Sequence, residues 1–255
     1  MAATYRSNLT QKNRSPRWGR WVQIVIWIVL LLLFVPMFEV LAVRFFDPTY
    51  TPLMLIRSVQ GRVHSGPKPQ PRCQWVDLEN VSPAFLKAVW QTEDARFFTH
   101  DGFDWVEVNH SMADAKRTGR PARGASTISM QCARSLFLWQ GRSWIRKPLE
   151  AYYTILMETV LTKSRILELY VNVIETGDGL YGVEAAARYY WNSTAKTLTR
   201  EQAARLVAML PNPRERNPAR PNPKTRMRIA SVMRKLKASP ALPPTIWRTS
   251  RRSKN

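Results

Sequence analysis

Residues 89–102, VWQTEDARFFTHDG, place two acids, Glu93 and Asp94, between an apolar run and a pair of phenylalanines. A helix is predicted to enter this stretch, because Ser82 followed by Pro83 is typical of an N-cap and a first helical position. Four residues then share one face of that helix: Leu86, Val89, Trp90 and Glu93. Glu93 is therefore expected on the core-facing side, whereas Asp94 is rotated by about 100° from it.

This position of Glu93 has two interpretations. If the carboxylate leaves the helix into a partly apolar cleft, burial disfavours its charged form and raises its pKa toward that of a useful general acid or base. Alternatively, Glu93 is an exposed acid at a frayed helix end.

The overall charge predicts acidic partners. The 255 residues include 39 Lys and Arg against 18 Asp and Glu, a formal net charge of +21. Nucleic acid, anionic lipid head groups and phosphorylated substrates all fit that charge. The two cysteines, Cys73 and Cys132, define neither a disulfide framework nor a zinc site, and they could pair only if both face an oxidising compartment.

Residues 21–38, WVQIVIWIVLLLLFVPMF, are eighteen residues without a charge, enough to cross a bilayer as a helix. Five basic residues precede this segment: Arg6, Lys12, Arg14, Arg17 and Arg20. After it come Glu39 and one nearby base, Arg44. The positive-inside rule then places the N-terminus in the cytoplasm and the rest of the chain on the far side, which excludes a nucleic-acid partner.

A cleaved signal peptide is the alternative for this segment, with residues 40–42 as an acceptable cleavage site. The apolar run exceeds the roughly 7 to 15 residues of a signal peptide, which favours an uncleaved anchor. The predicted organisation is a basic cytoplasmic tail, a transmembrane anchor, a linker, a mainly α catalytic domain and a second basic tail, at residues 1–20, 21–43, 44–72, 73–240 and 241–255.

Two further stretches carry candidate chemistry. Residues 123–139, RGASTISMQCARSLFLW, form a turn into a predicted helix, whose first N–H groups and the hydroxyls of Ser126 and Thr127 are expected to bind an anion. Gln131 and Arg134 continue the polar face of that helix.

Residues 141–151, GRSWIRKPLEA, add a cluster of Arg142, Arg146 and Lys147 close to Glu150. Such a cluster is often a solvated face. Converging hydroxyls, amide and bases beside a second carboxylate are also what a diphosphate site requires.

These motifs resemble those of the peptidoglycan glycosyltransferases, the family shared with class A penicillin-binding proteins. Residues 93–102 are similar to E-D-x-x-F-x-x-H-x-G, and residues 124–131 to G-G-S-T-I-x-Q-Q. Residues 146–150 match R-K-x-x-E, residues 163–172 match K-x-x-I-L-E-x-Y-x-N, and residues 182–191 resemble a fifth motif. The short, membrane-anchored monofunctional branch of the family is the better match.

The resemblance implies a mainly α, lysozyme-like, two-lobed domain whose apolar jaw touches the bilayer. The implied substrate is lipid II, a disaccharide-peptide on undecaprenyl diphosphate. Glu93 and Glu150 would be the catalytic residues, Glu93 as the general base and Glu150 beside the donor diphosphate. Ten residues are expected to bind substrate: Asp94, Phe97, His100, Ser126, Thr127, Gln131, Arg134, Arg142, Arg146 and Lys147.

The resemblance also sets expectations about partners. Lipid II, the growing glycan chain and the lipid bilayer are expected, together with other cell-wall synthesis or division proteins, and nucleic acid is not. No cofactor is obligatory, and Mg²⁺ or Mn²⁺ is an option without an assigned site. Two alternatives remain: a lytic muramidase on a related fold, and a non-catalytic scaffold anchored in the membrane.

One further pattern is a decoy. Residues 193–196 satisfy the S-x-x-K pattern of an acylated serine, but the chain contains neither of the K-T-G and S-x-N partners of a penicillin-binding domain. Ser193 is therefore predicted to be an ordinary loop residue, and the glycan product to be uncross-linked.

Overall fold

The computed structural model describes residues 17–65, 72–122, 124–139, 141 and 143–247. Three predicted features lie wholly or largely outside these residues: the N-terminal basic tail, the proline-rich end of the linker and the C-terminal basic tail. Arg142 also lies outside them. The chain divides into two compact units, residues 1–39 and 40–255.

The first unit contains most of helix α1 (Arg17–Phe45). Residues 19–45 are long and apolar enough to cross a membrane, with a mean hydropathy of 2.8 in the most apolar window. Large apolar side chains of this unit are exposed; Trp27 and Phe38, for example, are 71% and 74% exposed. An exposed apolar surface on all sides of a helix is typical of a helix that lies in lipid. The predicted membrane helix is therefore present.

Helices dominate the second unit, which confirms the predicted mainly α fold. In chain order they are α2 (Pro52–Ser65), α3 (Pro83–Glu93), α4 (Trp105–Thr118), α5 (Ile128–Phe137), α6 (Arg146–Val160), α7 (Lys163–Val173), α8 (Val183–Trp191), α9 (Arg200–Met209) and α10 (Pro223–Ala238). Short 3-10 turns occur at Leu78–Asn80, Ala195–Thr197 and Pro244–Trp247.

A small sheet that the sequence analysis did not foresee joins three strands, β1 (Arg72–Cys73), β2 (Glu175–Gly177) and β3 (Leu180–Tyr181). Strand β3 is central, parallel to β1 and antiparallel to β2. Strands of two or three residues are too short to show an alternating pattern. Gly182 follows β3 with a φ of +79°, and a Cβ there would lie 2.6 Å from the Asn172 carbonyl oxygen, so only glycine fits.

Helix α2 lies within the segment predicted as a linker. It buries Leu53 and Met54 against Tyr181, the last residue of β3. Thr51 precedes the helix, and its hydroxyl accepts a hydrogen bond from the Met54 N–H at 3.3 Å. This part of the linker segment is thus packed onto the catalytic unit by apolar contacts.

The core of the second unit forms where α3, α5, α7, α9 and α10 pack together. The predicted apolar face of α3 is confirmed, since Leu86 and Val89 are fully buried and Trp90 is 8% exposed. Helix α5 packs against both α6 and α7, and α9 packs against both α3 and α10. These contacts hold the end of α3 and the start of α5 side by side, which is what positions the candidate site.

Two helix starts agree with the predicted caps. The Thr199 hydroxyl accepts from the Gln202 N–H at 3.2 Å, while the Gln202 carbonyl oxygen accepts from the Thr199 N–H at 2.9 Å, which is a complete capping box. The Asn222 side chain accepts from the Thr225 N–H at 2.8 Å and Pro223 opens α10. Three other starts are displaced by one to three residues: the N-caps are Thr127, Ile145 and Thr162, where Ser126, Ser143 and Ser164 were predicted.

Two residues of the fourth motif act as scaffold. The Asn172 amide accepts from the Val76 N–H and donates to the Val76 carbonyl oxygen, each at 2.9 Å. Glu168 accepts from the Leu78 N–H at 3.3 Å and from the Arg165 guanidinium. Helix α7 therefore fixes the chain that leads into α3.

Candidate active site

The largest polar cleft of the described residues has a volume of about 730 Å³. Its walls come from the end of α3, the turn into α5, one face of α5, the chain after α9 and one face of α10. The cleft brings together six of the predicted site residues: Glu93, Asp94, Ser126, Thr127, Gln131 and Arg134.

Glu93 is the last residue of α3 and lines this cleft, partly buried. Burial is the main influence on its carboxyl group and raises its pKa above the usual value. A hydrogen bond from the Gln131 amide, 3.2 Å from Oε2, and the charges of Arg228 and Lys235 act in the opposite direction without cancelling that rise. The interpretation as an exposed acid at a frayed helix end is therefore wrong.

Asp94 lies directly after α3 and its side chain is 2% exposed. Because α3 ends at Glu93, the carboxylate is directed by the chain turn instead of by the helix. Its Oδ2 accepts from the N–H of Ile128, the first residue of α5, at 3.0 Å. Both carboxylate oxygens lie 3.1 Å from His100 Nε2. Asp94 thus links the end of α3 to the start of α5.

His100 stands behind Asp94 and completes this link. The Gly102 N–H donates to His100 Nδ1 at 3.1 Å, so the ring proton of a neutral His100 lies on Nε2 and is donated to Asp94. Gly102 has a φ of +89°, and a Cβ there would lie 2.7 Å from Thr154 Cγ2. Phe97 is fully buried beside His100. Phe97 and His100 therefore support the cleft without lining it.

The predicted anion site at the start of α5 needs a correction. The Ile128 N–H donates to Asp94, and the Met130 N–H donates to the Thr127 hydroxyl at 3.2 Å. The Thr127 hydroxyl in turn donates to the Gly102 carbonyl oxygen at 2.6 Å. These two N–H groups are already satisfied by protein acceptors, because the carboxylate of Asp94 takes the position of the anion.

Cations line the cleft on two sides. Arg134 comes from α5, while Arg228 and Lys235 come from α10. The Lys235 ammonium donates to the Gln91 carbonyl oxygen at 3.0 Å, and Arg228 Nε is buried without a hydrogen-bond partner among the described residues. Sequence analysis missed Arg228 and Lys235, although their spacing of seven residues puts both on one side of the predicted apolar stripe of α10.

Glu150 lies outside the cleft, near the start of α6. Its side chain is fully buried and forms ion pairs with Arg146 and with Lys147, the latter at 2.7 Å. Pro148 lies in the first turn of α6, where its missing N–H is tolerated. The structure thus joins these three charged residues to each other, and in the described chain none of them lines the cleft.

A divalent cation has one candidate set of ligands in the described chain, Asp94, His100 and Asp104, whose ligand atoms lie within 4.8 Å of one another. Asp94 already accepts from His100 and Ile128, and Asp104 accepts from the Glu107 N–H at 2.9 Å. A cation would have to displace these hydrogen bonds, so the set does not fit a metal site. The optional Mg²⁺ or Mn²⁺ stays a prediction without ligands.

Comparison with known proteins adds an independent observation. The sequence matches the family model described as Transglycosylase over residues 60–237. The chain belongs to the transglycosylase family. The resemblance drawn from the five motifs is thereby confirmed.

Relatives of this transglycosylase are similar over most of their length. A Bacteroides thetaiotaomicron protein named biosynthetic peptidoglycan transglycosylase is 43% identical over 205 residues, covering 80% of this chain and 82% of that protein. Proteins of the same name from Brucella suis and Xanthomonas campestris are 40% and 42% identical, covering 85% and 87% of this chain and 93% and 89% of their own.

Proposed function

We propose that this transglycosylase polymerises lipid II into uncross-linked peptidoglycan strands and releases undecaprenyl diphosphate. The observation that carries the proposal is Glu93, a carboxylate with a raised pKa in a polar cleft that also holds three cations. An enzyme that transfers a glycosyl group from a diphosphate needs both a base for the acceptor and positive charge for the leaving group.

In the proposed reaction, Glu93 takes the proton from the 4-hydroxyl of the acceptor sugar. The hydroxyl oxygen attacks the anomeric carbon of the donor, and the bond from that carbon to the diphosphate breaks, with the electron pair leaving on the diphosphate. Gln131 donates to Glu93 Oε2 and holds the carboxylate toward the acceptor. A positioned general base typically contributes about 10²- to 10⁴-fold in rate.

Positive charge for the leaving diphosphate is proposed to come from Arg134, with Arg228 and Lys235 on the opposite wall. Fixed cations in a site with little water stabilise developing negative charge strongly. Arg142 is proposed to assist from the segment before α6. Glu150 is proposed to act indirectly, because its buried carboxylate holds Arg146 and Lys147 at the start of α6.

The membrane is proposed to be a partner as well as an address. Helix α1 fits a membrane-anchored protein, and the positive charges before it favour a cytoplasmic N-terminus and a catalytic unit on the outer face of the cytoplasmic membrane. Trp105 and Trp144, on the second unit, are 66% and 85% exposed and suit contact with a bilayer surface. An enzyme tethered beside a lipid-linked substrate meets it at a high effective concentration.

Incubation of the purified full-length protein with labelled lipid II in vesicles tests the proposal. The expected product is long glycan that muramidase digests, together with free undecaprenyl diphosphate. Cleavage of pre-formed glycan would instead identify a lytic muramidase, and the absence of any reaction would favour a non-catalytic scaffold.

A further inference from the structure

A second cavity, of about 290 Å³, adjoins the catalytic cleft. The two share Gln131, Arg134, Leu210 and Pro211 in their walls. Its volume is close to that of the smallest ligand pockets, about 300 Å³. The cavity is formed where α2, α5 and β2 meet the chain that follows α9.

Glu175, in β2, lines this second cavity with a side chain that is only 7% exposed. Its Oε1 is buried and has no hydrogen-bond partner among the described residues. The other oxygen lies 4.0 Å from the Arg57 guanidinium, which is longer than a hydrogen bond. Burial raises the pKa of this carboxyl group. A buried polar atom without a partner costs free energy, so its presence beside a cavity indicates a ligand that supplies the missing donor.

The remaining polar groups of the cavity are donors and small polar side chains. Arg57, Arg134 and Arg214 carry guanidinium groups, and Ser135 and Asn212 can donate or accept. A ligand with both hydroxyl or amide donors and carbonyl acceptors matches this mixture. A bare anion matches it less well, because Glu175 would face it.

Gln131 connects this cavity to the reaction centre. Its amide nitrogen donates to Glu93 Oε2 at 3.2 Å, and its carbonyl oxygen accepts from the Tyr170 hydroxyl at 3.3 Å. Gln131 and Tyr170 both line the second cavity. A ligand bound there would contact the residue that orients the general base.

The second cavity also has a neighbour on its other side. A third cavity, of about 270 Å³, shares Pro213 and Arg214 with it and includes the ring of Tyr189, which is 58% exposed. A cavity that adjoins another at each end suits a segment of a chain better than a separate small molecule.

We propose that the second cavity is a subsite for an N-acetylated sugar of the growing glycan strand, beyond the two sugars of the reacting donor unit. Glu175 Oε1 accepts a hydrogen bond from a hydroxyl or acetamido N–H of that sugar, and the guanidinium groups donate to its carbonyl oxygen. The inference rests on the proposed polymerisation of lipid II. Glu175 is then a specificity residue for long donors.

Initiation and elongation should depend differently on this subsite. When two lipid II molecules are joined, the donor has two sugars and does not reach the second cavity. When a lipid-linked tetrasaccharide or longer strand is the donor, its distal sugars occupy the cavity. Loss of Glu175 should therefore weaken the binding of long donors and shorten the product, while the first coupling continues.

The experiment compares wild type with Glu175→Ala, Glu175→Gln and the exposed control Glu201→Gln, all as full-length protein in vesicles. Two rates are measured: the coupling of two labelled lipid II molecules and the extension of a purified lipid-linked tetrasaccharide. For the tetrasaccharide we expect KM to rise about tenfold in Glu175→Ala and about threefold in Glu175→Gln, which keeps one amide acceptor. Coupling of lipid II should change less than about twofold, and Glu201→Gln should match wild type.

Equal losses in coupling and extension would overturn the subsite and make Glu175 a structural residue. Unchanged extension and unchanged product length in Glu175→Ala would overturn it as well. If Glu175→Ala does not fold, Glu175→Gln decides between the same two outcomes. A wild type that makes no polymer at all would refute the proposed function, which is a distinct result from polymer of unchanged length.

Discussion

Two carboxylates, at the end of α3 and near the start of α6, are the same residue type in opposite surroundings. Glu93 lines the cleft with one hydrogen bond from Gln131 and a pKa raised by burial. Glu150 is fully buried and ion-paired with Arg146 and Lys147. Sequence motifs named both as catalytic, but only Glu93 lies where it can touch a substrate in the cleft.

The difference shows how surroundings assign roles to chemically identical groups. A carboxylate with few partners and restricted hydration is poised to take a proton. A carboxylate with two cationic partners is held in its charged form and contributes to structure. We therefore expect substitutions at the two positions to separate catalysis from stability.

The largest expected effect is on catalysis at Glu93. Glu93→Gln should lower the initial rate of glycan formation by about 10²- to 10⁴-fold, because it removes the base and little else. A carboxyl group with a raised pKa in the folded state contributes stability below its unfolded pKa and loses it as pH rises through the folded value. The neutral glutamine should therefore unfold at the same or a higher temperature than wild type at pH 7, measured by differential scanning fluorimetry.

Glu201→Gln provides the matched control for this substitution, since Glu201 is an exposed acid on α9. It should keep the wild-type rate. More than a tenth of the wild-type rate in Glu93→Gln would mean that another group is the base.

The next effect is on stability at Glu150. Glu150→Gln should lower the free energy of unfolding by about 3 kcal/mol, because Arg146 would remain largely buried without its partner. Urea unfolding followed by circular dichroism measures this loss. Glu201→Gln breaks only an exposed ion pair with Arg205 and should cost at most about 0.5 kcal/mol. Equal stability losses in the two variants would remove the structural role given to Glu150.

A smaller effect is expected for the cations of the cleft. Arg134→Ala should raise the KM for lipid II about tenfold, since a lost hydrogen bond to a charged group is worth about 1.5 to 3 kcal/mol. Arg200, an exposed arginine at the start of α9, supplies the control Arg200→Ala, which should leave KM unchanged. An unchanged KM in Arg134→Ala would return Arg134 to the interpretation as a solvated charge.

Much of the fold could be predicted from short-range patterns. The face of α3, the capping box at Thr199 and the start of α10 follow from spacing within one helix. Helix α2 was missed because its apolar residues, 53–56, form a run instead of a stripe. The strands were missed because two or three residues carry no periodicity.

The site was less predictable because its decisive contacts join distant residues. The anion at the start of α5 is Asp94, which lies 34 positions before Ile128 and is not visible in the local motif. Arg228 and Lys235 come from a helix more than 130 residues after Glu93, and their relation to the cleft depends on how α10 packs against α3. Motifs predicted the identity of Glu93, and packing determined its surroundings.

The smallest expected effect is none at all, at the decoy serine. Ser193 lies in a turn as predicted, with its hydroxyl 2.9 Å from the Thr197 hydroxyl, while Lys196 contacts Asn80 at 3.4 Å. Without a lysine beside it, the serine has no base to activate it. Ser193→Ala should polymerise at the wild-type rate, and labelled penicillin should acylate neither protein. Penicillin labelling that disappears in the variant would contradict an uncross-linked product.

The pKa of Glu93 tests the general-base assignment most directly. The pH dependence of kcat/KM for lipid II reports the pKa of the essential base in the free enzyme. A carbon-13 NMR titration of the Glu93 carboxyl, assigned by comparison with Glu93→Gln, reports the pKa of the group itself. We expect the two midpoints to coincide, both above the usual glutamate value of about 4.3, with activity lost as pH falls through them. A Glu93 carboxyl that titrates at the usual value, or a rate midpoint more than about one unit away from its titration, would contradict its role as the base.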